Sequence, residues 1–186
     1  MSAREKALVM TADEIERALE RLAAEIAASE PEADKLMLVG IRTRGVPLAR
    51  RLAERLQRRY ARDLPVGILD ITFYRDDLSL IAPHPVVKTS ELPRDITGRV
   101  IVLVDDVLYT GRTIRAALDH LMDYGRPDRV RLAVLVDRGH RELPIHADFV
   151  GRVIPTRRNE IIKVMLREVD GEDQVLLLEK EATDDA

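Results

Sequence analysis

The chain has 186 residues, a mass of 21.1 kDa, 46% apolar residues and a formal net charge of −3. Cysteine is absent, which excludes a disulfide framework, a thiolate metal site and a cysteine nucleophile. No uncharged apolar run approaches the length of about 18 residues that a transmembrane helix needs, and the first residues lack the apolar core of a signal peptide. We therefore expect a cytoplasmic protein that forms one domain over residues 1–186.

Positive charge is concentrated in one part of the chain. The segment from Arg42 to Arg62 contains eight arginines and one glutamate, a net charge of +7. Most of these arginines lie off the apolar stripe of a predicted helix, so we expect a largely solvent-exposed helix face. The guanidinium group also suits phosphate contacts, which leaves a polyanionic partner as an alternative.

The pattern of apolar residues predicts strands that alternate with helices. A capping box from Thr11 to Glu14 opens the first helix, a second helix begins at Gly45, and a third covers Thr113–Tyr124. Strands are predicted at 35–41, 66–73, 99–105, 129–136, 163–169 and 174–178, and irregular stretches at 74–94 and 138–155. This alternation is typical of an α/β protein with a parallel sheet.

The segment Val100–Thr113 carries the clearest chemical signal. An apolar strand ends in two carboxylates, Asp105 and Asp106, and Thr-Gly-Arg-Thr follows at the start of a helix. The unpaired N–H groups of a helix N-terminus suit phosphate, and Gly111 allows the backbone to approach it closely. Adjacent carboxylates would repel that phosphate, so they fit neutral sugar hydroxyls or a divalent metal. The pattern therefore predicts a ligand with a phosphate beside a sugar diol.

This segment resembles the phosphoribosyl pyrophosphate (PRPP) signature of the type I phosphoribosyltransferases. Leu38–Gly45 resembles the pyrophosphate loop of that family, and Asp70–Asp77 resembles the start of its lid. Val134–Pro144 and Ala147–Gly151 are similar to one branch, the PyrR-type pyrimidine-operon attenuation regulators with uracil phosphoribosyltransferase activity.

The resemblance implies a type I phosphoribosyltransferase fold, in which helices flank a parallel central sheet. A flexible lid loop is expected at about 74–94, and a small hood from about 138–162 together with the C-terminal strands. The implied reaction converts uracil and PRPP into UMP and pyrophosphate.

The resemblance also assigns roles to individual residues. The implied catalytic residues are Asp105, Asp106 and Arg75. Substrate binding is assigned to Ile41, Arg42, Thr43, Arg44 and Gly45 at the pyrophosphate, Tyr74 on the lid, Val107, Leu108, Tyr109, Thr110, Gly111, Arg112 and Thr113 at the 5′-phosphate, and Val136, Asp137, Arg138 and Ile162 at the base. Mg²⁺ is the implied cofactor, held mainly by substrate and water near the two aspartates rather than by a dedicated set of protein ligands.

A regulatory role follows from the same branch. It implies that the protein binds the leader mRNA of a pyrimidine operon, with UMP or UTP as effector, and controls transcription by attenuation. The residues expected to contact RNA are His140, Arg141, Arg152 and Arg157. A homodimer is expected, with a higher oligomer as the alternative, and no membrane partner. The alternatives are a salvage phosphoribosyltransferase for uracil or another base without an RNA role, and a purine or orotate transferase of the same fold.

Overall fold

A computed structural model of the chain describes residues 3–72 and 90–180. Tyr74, Arg75 and most of the expected lid loop lie outside the described residues. Within the two described ranges, no helix combines the length and the apolar character that crossing a bilayer requires.

A parallel five-stranded sheet forms the centre of the molecule. Its strands are β2 (Leu36–Ile41), β3 (Val66–Leu69), β4 (Val100–Leu108), β5 (Arg129–Asp137) and β6 (Phe149–Val153). They lie in the order β3-β2-β4-β5-β6, and every pair is parallel. Helices α1 (Ala12–Ser29) and α2 (Gly45–Tyr60) pack against one face, and α3 (Arg112–Leu121) packs against the other. The predicted α/β architecture is confirmed.

Burial on both faces explains the continuous apolar run of β4. Val102 and Val104 belong to the core beneath α1 and α2, whereas Ile101 and Leu103 belong to the core beneath α3. Successive side chains of a strand point to opposite faces, so helices on both sides require apolar residues at every position.

A second, antiparallel sheet lies at the end of the chain and is called the hood here. It consists of β1 (Ala3–Met10), β7 (Glu160–Met165) and β8 (Gln174–Lys180) in the order β1-β8-β7, with the short helix α4 (Arg167–Asp170) between β7 and β8. β1 was not predicted from the sequence, and its pairing partner lies at the other end of the chain. The hood was expected at about 138–162 together with the C-terminal strands, but β6, inside that stretch, forms an edge of the central sheet instead.

Several predicted boundaries are corrected by the structure. The stretch 138–155 was expected to be irregular, but it contains β6, which pairs with β5. The strand predicted at 163–169 is β7 followed by α4, and the strand predicted at 66–73 ends at Leu69. The strand predicted at 99–105 continues through both aspartates to Leu108, because β5 pairs with it as far as Asp137. Short apolar runs do not show by themselves where pairing with a distant strand stops.

The exposed face expected on α2 is in part wrong. Arg51 is only 4% exposed, and its Nε and Nη2 atoms donate to Glu168 at 2.8 and 2.6 Å. Its Nη2 also donates to Asp173 at 2.7 Å. Arg55 is also buried and binds Glu16 on α1. The prediction fails because these acidic partners lie far along the chain and cannot be identified from helical periodicity.

Candidate active site

The two adjacent aspartates lie in the carboxyl-terminal half of β4, two residues before its end at Leu108, in the middle of the parallel sheet. The Oδ1 atom of Asp105 accepts a hydrogen bond from the Asp106 N–H group, and that of Asp106 accepts one from Val107, both at 2.9 Å. These contacts fix both carboxylates at the edge of the sheet where ligands bind in open α/β folds. Burial raises the pKa of the Asp106 carboxyl, while hydrogen bonds from neighbouring groups and the charge of Arg44 act in the opposite direction.

The second predicted phosphate-binding segment is the turn where β4 leads into α3. Gly111 is the residue before α3 and has a φ of +94°, a conformation that favours glycine. The carbonyl of Thr110 accepts the N–H groups of Glu142 and Leu143 at 2.9 and 3.2 Å, which ties this turn to the segment after β5. The first N–H groups of α3 therefore face the carboxyl edge of the sheet, where they suit an anion.

The predicted pyrophosphate loop directly adjoins this turn. β2 ends at Ile41, the peptide bond between Arg42 and Thr43 is cis, and α2 begins at Gly45. A Cβ atom on Gly45 would lie only 2.3 Å from the carbonyl oxygen of Val104, the residue before Asp105. The N-terminus of α2 thus packs against the backbone of β4, and the structure brings both predicted phosphate-binding segments to the same two carboxylates.

The arginines of this loop are paired with carboxylates that the sequence analysis did not single out. Arg42 lies 3.9 Å from Asp70 and 3.6 Å from Glu91. Arg44 donates to Asp170 on α4, with Nε at 3.1 Å and Nη2 at 2.6 Å. Both arginines had been assigned to pyrophosphate. No local pattern could have revealed Asp170, because it lies in an acidic C-terminal run and its partner is 126 positions away.

Three of the four residues assigned to the base, Val136, Asp137 and Arg138, lie at the carboxyl end of β5, and Ile162 lies on β7. Arg138 is 6% exposed, and its guanidinium lies 4.0 Å from the ring centroid of Tyr109. It donates to Thr156 and to the carbonyls of Arg157 and Glu160 at 3.1, 3.2 and 2.8 Å. Burial lowers the pKa of Arg138. Arg138 therefore joins the end of β5 to the start of β7, with Tyr109 packed against it.

Four of the assigned substrate residues have side chains in the apolar core, so only their backbone groups are placed to meet a ligand. They are Ile41, Leu108, Val136 and Ile162. The side chain of Arg112 pairs with Glu142 at 2.9 Å.

The residues assigned to RNA differ in how far they are engaged. Arg141 binds both oxygens of Asp137, at 2.8 and 2.6 Å, and the Nε2 atom of His140 lies 2.6 Å from the carbonyl of Thr156. Arg152 is exposed at the edge of β6, where it contacts Glu14 and the carbonyl of Val9. Arg157 is exposed in the connection to β7.

Comparison with known proteins identifies the family. Residues 10–165 match the phosphoribosyl transferase domain family. The chain is 60% identical over 176 residues to the bifunctional protein PyrR of Thermus aquaticus, covering 95% of this chain and 97% of that protein. It is 56% identical to the protein of the same name from Pelotomaculum thermopropionicum, with coverage of 95% and 98%.

Solved structures of low sequence identity share the fold. A hypoxanthine phosphoribosyltransferase of Trypanosoma cruzi aligns with a TM-score of 0.71 and 18% identity, over 95% of this chain and 98% of that chain. One from Staphylococcus aureus aligns with a TM-score of 0.69, also at 18% identity, over 92% of each chain. The two carboxylates at the end of β4, the adjoining helix N-termini and these matches together lead to one conclusion: the chain belongs to the phosphoribosyltransferase family and, within it, to the bifunctional PyrR proteins.

Proposed function

We propose that the protein transfers the phosphoribosyl group of PRPP to uracil, and that the same site senses UMP or UTP to control binding to pyrimidine-operon leader mRNA. One observation carries the catalytic half of this proposal. Asp105 and Asp106 lie at the end of the central strand, with the N-termini of α2 and α3 next to them. A substrate with a sugar diol between two phosphate groups matches that arrangement of charges.

The reaction exchanges two bonds at C1 of the ribose. The bond from C1 to the pyrophosphate oxygen breaks, and its electron pair leaves on that oxygen. N1 of uracil releases its proton to solvent and forms the new bond to C1. Positive charge develops on the ribose between these events. Asp105 and Asp106 hold the ribose hydroxyls and stabilise that charge, the turn before α3 holds the 5′-phosphate, and the start of α2 holds the pyrophosphate.

Mg²⁺ is part of the proposal. Among residues 3–72 and 90–180, no group of three or more His, Cys, Asp or Glu side chains is arranged to hold a metal ion. Mg²⁺ is commonly bound through one or two carboxylates together with substrate phosphates and water, and Asp105 and Asp106 fit that mode. When bound, the ion would neutralise charge on the departing pyrophosphate.

The proposed RNA-binding face lies on the side of the molecule formed by β6 and the connection to β7. Arg152, Arg157 and Arg158 are exposed there. Arginines suit the phosphates of RNA, and a homodimer would present the set twice, which supports binding to a folded hairpin.

The transferase activity is tested with a panel of bases. Uracil, hypoxanthine and orotate are each incubated with PRPP and Mg²⁺, and pyrophosphate release is measured. We expect turnover with uracil, and its loss in the double variant Asp105→Asn, Asp106→Asn. Asp119→Asn on the exposed face of α3 is the matched control and should retain activity. Turnover with hypoxanthine or orotate instead of uracil would contradict the proposed substrate.

The regulatory half is tested by gel shift of the leader RNA with and without UMP. We expect UMP to increase the affinity, and the double variant of Asp105 and Asp106 to lose this effect. Arg157→Gln should weaken RNA binding and reduce its salt dependence, whereas Arg126→Gln, which changes an exposed arginine in the turn before β5, should not. RNA binding that ignores UMP, together with turnover of uracil, would instead indicate a salvage enzyme.

A further inference from the structure

One ion pair joins the hood to the predicted pyrophosphate loop. Arg44, the residue before α2, donates Nε to Asp170 at 3.1 Å and Nη2 to the other oxygen of the same carboxylate at 2.6 Å. Asp170 is the last residue of α4, which follows β7. Such a two-point contact between a planar guanidinium and a carboxylate fixes the orientation of both groups.

Asp170 is itself held in place by the backbone around it. Its Oδ2 atom accepts the N–H group of Leu166 at 2.9 Å, and its side chain is 13% exposed. Gly171 ends α4 with a φ of +86°. The hydrogen bond from Arg44 lowers the pKa of Asp170 below its ordinary value. Because Asp170 is anchored independently, it sets the position of Arg44 rather than following it.

Arg44 lies within the electrostatic influence of the reaction site. The hydrogen bond that Arg44 donates to Asp170 raises the pKa of Arg44, and the charge of Asp106 raises it further, although burial acts in the opposite direction. In turn, Arg44 acts to lower the pKa of Asp106. The contact with Asp170 uses Nε and Nη2 of Arg44, so Nη1 lies on the side of the guanidinium that faces away from Asp170.

We infer that Asp170 is a positioning residue for pyrophosphate, acting by holding Arg44 at the start of α2. This role rests on the proposed transferase function. It gives the hood a part in pyrophosphate binding, which base binding alone does not require. A long arginine side chain has many conformations, and fixing one of them before the ligand arrives reduces the cost of binding. The segment assigned to the base, β7, leads directly into the residue that controls the pyrophosphate loop.

The test compares Asp170→Ala with Glu168→Gln. Glu168 lies on the same short helix but binds Arg51 and not Arg44. For each variant we would measure kcat, the KM values for PRPP and uracil, and the dissociation constants of inorganic pyrophosphate and UMP by calorimetry. We expect Asp170→Ala to raise the KM for PRPP and the dissociation constant of pyrophosphate about tenfold, the usual order for one charge-assisted contact.

Unchanged values for uracil and UMP would show that the variant is folded and that the effect is confined to pyrophosphate. Asp170→Asn, which keeps one acceptor oxygen, should recover part of the affinity, and Glu168→Gln should bind pyrophosphate as the wild type does. Unchanged or tighter pyrophosphate binding in Asp170→Ala would overturn the inference. Failure of the wild-type protein to turn over any base would instead contradict the proposed function, because pyrophosphate binding is measured separately.

Discussion

Arg51→Ala is expected to destabilise the folded protein by about 3 kcal/mol. Arg51 joins α2 to the segment around α4, and its side chain is 5% exposed. Its removal would leave the Asp173 carboxylate, 8% exposed, without its main cation. Uncompensated buried charges cost about 3–5 kcal/mol. We expect the lower value of this range because Asp173 keeps a hydrogen bond from the Arg167 N–H group at 2.8 Å. In addition, the pairing of Arg51 with Glu168 contributes little to stability, since the Glu168 side chain is 40% exposed.

Urea unfolding at neutral pH measures this loss directly. For a chain of this length, the same change would lower Tm by about 6–12 °C. Arg50→Ala changes the exposed neighbouring residue on α2 and should alter the free energy of unfolding by less than about 0.5 kcal/mol. The double variant Arg51→Met, Asp173→Asn should recover most of the loss, because it removes both charges together. A loss below about 1 kcal/mol in Arg51→Ala would refute the view that this buried pair attaches α4 to α2.

The sign of the pH dependence gives an independent check. Burial acts to raise the pKa of Asp173, but hydrogen bonds from Arg51 and the Arg167 N–H group bring it below its ordinary value. A carboxyl whose pKa is lowered by folding stabilises the protein above its unfolded-state pKa, and the stabilisation is lost as the pH falls through the lowered value. The difference between the wild type and Arg51→Ala should therefore shrink in acid.

Three further predictions concern the candidate site. Burial raises the pKa of Asp106, and this carboxyl must be ionised to stabilise positive charge on the ribose. In a pH–rate profile, kcat/KM should therefore fall in acid with a midpoint above the ordinary aspartate pKa of about 4, and a midpoint at that ordinary value would contradict this. Gly45→Ala places a Cβ atom 2.3 Å from the carbonyl oxygen of Val104. This variant should lose turnover but retain most of the wild-type free energy of unfolding, and near-normal turnover would show that α2 can shift without loss of activity. Gly111→Ala forces alanine to a φ of +94° and should lower the free energy of unfolding in urea by about 1 kcal/mol. It should also raise the KM for PRPP, and an unchanged KM would show that this turn does not bind the phosphate.

The sequence was sufficient to predict the parallel sheet and the position of the two aspartates. Their prediction depends on local patterns, namely an apolar run buried on both faces, a carboxylate pair at its end, and a glycine before a helix. The capping box of α1 was also predictable, and it is present, with Thr11 accepting the Glu14 N–H group at 3.3 Å.

Three of the features that were missed depend on partners distant in sequence. β1 was not predicted because its pairing with β8 joins opposite ends of the chain. Arg51 was expected in solvent because helical periodicity carries no information about Asp173. The pairing of Arg44 with Asp170 was missed for the same reason, since an arginine in a phosphate-binding loop looks the same whether or not a carboxylate already holds it.

The antiparallel order of the hood has a consequence for how the molecule is made. Ala3 lies beside Lys180, so the first strand of the chain cannot complete its pairing until the last strand has left the ribosome. The parallel sheet needs no residue beyond β6, and the loops that close it are shorter. During synthesis, the two helix N-termini at the aspartates can therefore assemble while the hood is still missing. A chain interrupted after β6 would lack the cover over the base, the carboxylate that holds Arg44 and the buried partner of Arg51.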